Sequence, residues 1–282
     1  MVRNVGGAAR RDYAELRRMR QLSDSGAGSM PAMTPDTTDR PDQSNRPDQL
    51  LELPTDWSRA LCVVAHPDDM EFGGSGAVAA WTTAGKEVGY LLITRGEAGI
   101  DGMPPERTAA IRQAEQQASA AVVGVRHVEF LDHRDGMIEA GLALRRDIAT
   151  AIRGFQPELV VGYNHRDTTF TGKWNSPDHR NTGRSLLDAV GDAGNRWVFP
   201  ETQTEPWGGV KYVAMTSSPH PTHAVDVTDA VDLAVASLEE HREYLKGLNY
   251  PGSVREPLVG LYTQTGQRFG GRLAVAFEVV SL

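Results

Sequence analysis

The chain has 282 residues, 40% hydrophobic and 23% charged, with a net charge of −8 at neutral pH. This balance is ordinary for a globular domain and gives no electrostatic case for binding nucleic acid or an anionic membrane. The one cysteine, Cys62, excludes an internal disulfide, and no apolar run approaches the roughly 18 residues that a membrane span requires.

Taken in order, residues 1–55 differ from the rest. Arg3, Arg10, Arg11, Arg17, Arg18 and Arg20 are not followed by the apolar stretch of a secretory signal, so a cytoplasmic location is expected. Ser23 to Pro54 is rich in Ser, Gly, Pro, Asp, Thr and Gln, and such a segment buries too little apolar surface to offset its ordering entropy. Residues 1–55 therefore read as a disordered or loosely attached extension, and 56–282 as the domain. From Trp57 onward, apolar runs predict strands at 60–65, 88–94, 126–130, 158–163, 210–216 and 273–280. Helices are predicted at 74–84, 106–123, 140–154, 179–192 and 229–246. This alternation predicts an α/β fold with a mostly parallel sheet and helices on both faces. Right-handed crossovers put the strand C-termini on one edge, where open α/β sheets carry their sites. His66, Thr94 to Glu97, Asp132 to Asp135 and Tyr163 to His165 fall at that edge.

The first of these strands runs into Ala65-His66-Pro67-Asp68-Asp69-Met70-Glu71. His66 and Asp69, three apart on a turn stiffened by Pro67, can face one ion, and zinc takes His nitrogen and Asp oxygen ligands. A catalytic site needs a third ligand and an open position. His179, in Ser176-Pro177-Asp178-His179 at a helix start, is the best candidate. Asp68, left beside the metal, suits a general base. Base plus metal-activated water describes hydrolysis of an amide or ester. An oxyanion donor is also needed, for which His165, His220 and the Asn175/Ser176 pair are candidates. Glu71 reads as a helix N-terminal acid, His127 as a packed strand residue, and His223 and His241 as surface residues. The polar loop 165–176 and an aromatic platform of Trp197, Phe199 and Trp207 are candidates for contacting the rest of a substrate. Gly74-Ser75-Gly76-Ala77-Val78-Ala79 fits a dinucleotide fingerprint, but Asp68, Asp69 and Glu71 would repel a pyrophosphate, so these glycines read as close packing.

The Ala65 to Glu71 string resembles the signature of the PIG-L/LmbE-like family of zinc-dependent N-acetylglucosaminyl de-N-acetylases. The resemblance continues through Thr94 to Gly99, Arg112-x-x-Glu115, Leu131 to Gly136, Pro177 to Arg180 and Val225 to Thr228, and so covers roughly 58–282. It implies a Rossmann-like domain with zinc, or another divalent transition metal, on His66, Asp69 and His179. It implies Asp68 as general base and zinc-bound water as nucleophile. Arg112 and Asp135 fall where relatives hold sugar hydroxyls. The implied reaction removes the N-acetyl, or another small N-acyl, group from a small-molecule amino-sugar conjugate. Neither the conjugate nor the oligomeric state is legible. One departure stands out: relatives read His-Pro-Asp-His where this chain has Ser176. Either Ser176 or Asn175 suffices as donor, or His165 or His220 replaces the histidine, or the protein is a sugar- and metal-binding member with little catalysis.

Overall fold

A computed structural model describes residues 49–250 and 252–281. The expected extension lies mostly outside them, although Leu50 and Leu53 are buried and Leu51–Glu52 already lies in the sheet.

The strands are β1 (Leu51–Glu52), β2 (Arg59–Val64), β3 (Glu87–Leu92), β4 (His127–Phe130), β5 (Leu159–Tyr163), β6 (Tyr212–Thr216), β7 (His223–Asp226) and β8 (Ala274–Val280). They form one sheet in the order β1-β7-β8-β6-β5-β2-β3-β4. β8 runs antiparallel to β6 and β7, and every other pairing is parallel. The helices are α1 (Asp69–Gly73), α2 (Ser75–Thr83), α3 (Pro105–Val122), α4 (Leu142–Phe155), α5 (Pro177–Gly194), α6 (Val231–Glu239), α7 (Arg242–Gly247) and α8 (Arg255–Gly266).

β2 is apolar along its length because both its faces are covered, as parallel strands in α/β sheets require. Cys62 and Val64 face one core with α2, α6 and α8, through Trp81, Leu238 and Tyr262. Leu61 and Val63 face the other with α4 and α5, through Leu144, Ile148, Ile152 and Leu186. The chain leaves β2 for β3 and β4 on one side, then returns to β5 on the other. The crevice between the C-terminal ends of β2 and β5 is thus the switch point at which such sheets bind ligands.

The glycine run after β2 packs as expected. A Cβ on Gly76 would lie 2.9 Å from the Tyr262 hydroxyl, so the glycine lets α2 approach α8.

Besides β1 and the short α1, neither of which was expected, three elements depart from expectation. β7 and α8 are additional, and the expected helix 229–246 breaks at Glu240–His241 into α6 and α7. The break turns His241 inward, where it is fully buried rather than on a surface. His127 is the reverse case: β4 is an edge strand, and this histidine is exposed. The aromatic platform does not form at the site edge. Trp197 lies past the far end of α5, and Trp207 bonds the carbonyl of Pro157, just ahead of the N-terminal end of β5.

Candidate active site

β2 delivers His66 to the crevice, and the turn that follows starts α1 with Asp69 in its first position. α5 delivers His179 from the opposite side, two residues after Pro177 begins the helix. Asp69 sits between the imidazoles: Oδ1 is 3.1 Å from His179 Nε2, and Oδ2 is 3.6 Å from His66 Nδ1. Burial alone would raise the Asp69 carboxyl, but His179 and His66 outweigh it and hold its pKa well below the usual range.

The far side of each ring is already committed. His179 Nδ1 lies 3.1 Å from Asn175 Oδ1, which makes it the protonated nitrogen and leaves Nε2 as the lone pair. His66 Nε2 lies 3.1 Å from Asp178 Oδ2 and 3.2 Å from Asp135 Oδ1, which leaves Nδ1. His66, Asp69 and His179 therefore present three ligand atoms within 4.8 Å of one another, two imidazoles and a carboxylate, a donor set that suits zinc. His66, Asp135 and Asp178 form a second grouping of this kind. Its carboxylates are already engaged, however. Asp178 accepts the N–H groups of Gly136 (2.7 Å) and Ile138 (3.2 Å), and Asp135 accepts that of Ala98 (2.8 Å). These acids orient His66. Burial works against a proton on His66, yet Asp135, Asp178 and Asp69 hold its pKa well above the ordinary imidazole value. So many acids around one imidazole is an arrangement that favours a cation.

Asp68 adjoins this set without joining it. Its backbone is left-handed, φ 91°, and its N–H donates to Gln116 Oε1 at 3.0 Å. Burial pushes its carboxyl up to about 6, against the pull of Arg112.

Arg112 is buried, with 2% of its surface exposed. Nη1 donates to the Gly96 carbonyl at 3.0 Å, and Nη2 bonds the Pro67 carbonyl and lies 3.3 Å from Asp68 Oδ2. Nη1 and Nη2 thus hold the turn that carries Asp68, on the Gly96 and Pro67 carbonyls and the Asp68 carboxylate. Asp135, expected with Arg112 on a sugar, is mostly turned to His66; burial raises its carboxyl, but His66 and Arg112 hold it at about 2.

Ser176 caps α5, its Oγ accepting the Asp178 N–H at 3.2 Å. Asn175 is a hub: its Nδ2 donates to the carbonyls of Asn164 and Arg166, closing the base of a hairpin over 164–176. His165 is buried, pressed against Gly183 on α5, and its Nδ1 has no hydrogen-bond partner. His220 is exposed on the β6–β7 loop, where its charge acts on His165.

Sequence reasoning missed Tyr244, and it singled out Glu115 only as part of Arg112-x-x-Glu115, with no role of its own. Tyr244, on α7, lies with its ring 3.8 Å from the Arg112 guanidinium carbon, and its hydroxyl is near enough to Asp68 to pull that carboxyl's pKa down. No motif marks it; the only trace is an apolar-aromatic position in a charged helix.

Residues 61–190 match the PIG-L family model, described as GlcNAc-PI de-N-acetylase. This segment, which holds the candidate site, is similar to the PIG-L family. The diacetylchitobiose deacetylase of Thermococcus kodakarensis is 29% identical over 196 residues, which span 66% of this chain and 70% of that protein. The N,N'-diacetylchitobiose deacetylase of Pyrococcus horikoshii shares the fold with a TM-score of 0.71 at 24% identity, over 80% of this chain and 84% of that one. GalB, the 4-carboxy-2-hydroxymuconate hydratase of Pseudomonas putida, shares it with a TM-score of 0.66 at 19% identity, over 80% and 97%. PIG-L-like architecture is therefore compatible with more than one reaction, and residues rather than fold must argue the chemistry.

Proposed function

We propose that this protein hydrolyses the N-acetyl, or another small N-acyl, amide of an amino-sugar conjugate, with zinc held on His66, Asp69 and His179. The observation that carries the reading is Asp68, a buried carboxylate beside the ligand set but outside it. The PIG-L match and the relative named as a diacetylchitobiose deacetylase support the substrate class.

Zinc at this site supplies Lewis acidity and lowers the pKa of a water toward about 7. The residues supply the rest. His66 and His179 are turned to offer their lone pairs without further rotation. Asp68, with a pKa of about 6, is mostly ionised at neutral pH and takes the proton of the attacking water. The carbon–nitrogen bond then breaks, and Asp68 returns the proton to the leaving amine, giving acetate and the free amino sugar. Ser176 uses an Oγ lone pair as cap and keeps its O–H as a donor for the carbonyl oxygen.

The test is acetate release from a panel of N-acetylglucosamine glycosides by the zinc-loaded full chain, with metal content measured in parallel. Stoichiometric acetate is expected from at least one member. Zinc-loaded protein that binds these sugars and releases none would establish the alternative, a binding protein in which Ser176 fails to replace the family's histidine.

A further inference from the structure

We propose that Tyr244 and Glu115 are positioning residues for Asp68, so that a short helix beyond the matched segment 61–190 sets the geometry of the base. The inference rests on the reading of Asp68 given above.

α3 packs alongside the turn that holds Asp68. Arg112, Glu115, Gln116 and Ser119 are spaced i, i+3, i+4 and i+7 and so share one face of the helix. All four are buried, a costly place for charged and polar side chains unless each is partnered. The partners of Arg112, Gln116 and Ser119 converge on Asp68 and the helix start that follows it. Gln116 accepts the Asp68 N–H and donates to Glu71 Oε1 at 2.9 Å, and Ser119 donates to the same oxygen at 2.8 Å. Arg112 contacts Asp68 and the carbonyls on either side of it in space.

Glu115 faces the other way. Its carboxylate accepts the N–H of Glu243 at 2.6 Å and of Tyr244 at 3.4 Å, donors that the start of α7 leaves open. The helix is thereby pinned, with Tyr244 held over the Arg112 guanidinium, which itself lies 3.3 Å from Asp68 Oδ2. His241, at the same helix start, is buried against α1, its Nε2 3.5 Å from Glu71 Oε2. Asp68 needs such support, because a non-glycine residue at φ 91° persists only where its surroundings over-determine it. Packing alone would be served better by apolar side chains of the same volume. The Glu115 carboxylate pinning α7, the Tyr244 ring on Arg112 and the Arg112 guanidinium on Asp68 instead form a chain that fixes where that acid points.

Tyr244→Phe removes the hydroxyl and keeps the ring on Arg112; Tyr244→Leu removes both. In the zinc-loaded full chain, Tyr244→Phe should lower kcat about tenfold with KM within about twofold and metal content unchanged, and Tyr244→Leu about a hundredfold. Glu115→Gln should fall between wild type and Tyr244→Phe. A crystal structure of Y244F should show the Asp68 carboxylate rotated away while His66, Asp69 and His179 superimpose on wild type. Unchanged kcat in Y244F, an unmoved Asp68, or loss of activity in proportion to loss of metal would overturn the proposal. Wild-type protein inert on every amide would instead sink the functional reading, and the position of Asp68 in Y244F would still decide this one.

Discussion

An imidazole can offer a metal only the nitrogen that its other bond leaves free. Asn175 settles this for His179, and Asp178 with Asp135 settles it for His66. Asn175→Ala should therefore weaken metal binding by about 10–100-fold without removing a ligand, as read by competition with a chromogenic chelator. Asp68→Asn should do the opposite: metal content stays, and kcat falls by about 10²–10⁴-fold, the usual worth of a general base. Full turnover in D68N would show that the proton goes elsewhere. The sequence placed His66, Asp69 and His179 on one edge because each follows an apolar run or opens a helix, and chain order does the rest. Tyr244, and the positioning roles of Asn175 and Glu115, were opaque for a physical reason. A ligand is marked by its own chemistry and spacing, whereas a positioning residue is defined by the group it meets, which only the fold supplies.

The elements that were legible are those buried on both faces. β2, β3, β5 and β6 read as apolar runs, and α4 shows Leu144, Ile148 and Ile152 at four-residue steps. β7 is four residues of partly exposed edge-like pattern, and α8 carries Pro257 and Gly260, so neither gives a clean period. α6 and α7 read as one helix because the residues across the break carry helical charge spacing. What ends α6 is tertiary: Glu115 takes the N–H groups that would otherwise look back along a continuous helix. The glycines before α2 show the same logic in reverse, since their role is to omit a side chain. Gly76→Leu would drive a side chain into Tyr262 and Val227, and overpacking of this kind costs about 1–3 kcal/mol. Its melting temperature should fall while the metal affinity of the folded protein holds. A melting temperature that rose on adding a nicotinamide or flavin nucleotide to wild type would revive the phosphate-cradle reading of the same glycines.

At the scale of the whole molecule, a metal on His66, Asp69 and His179 would compete with protons for one buried cluster, and that competition predicts how stability depends on pH. Without metal, Asp135, Asp178 and Asp69 raise the His66 pKa above its ordinary value. A group whose pKa is raised on folding contributes stability that is complete below its unfolded pKa, about 6.5, and is lost as pH rises through the folded value. Asp69, lowered by the histidines, contributes stability present above about 3.9 and lost only in stronger acid, so it does not distinguish pH 5.5 from pH 8. The metal-free protein should therefore lose its His66 contribution toward alkaline pH. Metal binding needs His66 and His179 neutral, so its stabilisation grows over that same range. Saturation at a thousand times Kd is worth about 4 kcal/mol, and each kcal/mol moves the melting temperature of a domain this size by roughly 2–4 °C. The drop in melting temperature on adding a chelator should accordingly be several degrees at pH 8 and clearly smaller at pH 5.5. An equal drop at both pH values would mean that no histidine in the ligand set exchanges a proton for the metal. The pairing of His66 with His179 around Asp69 would then not be the site.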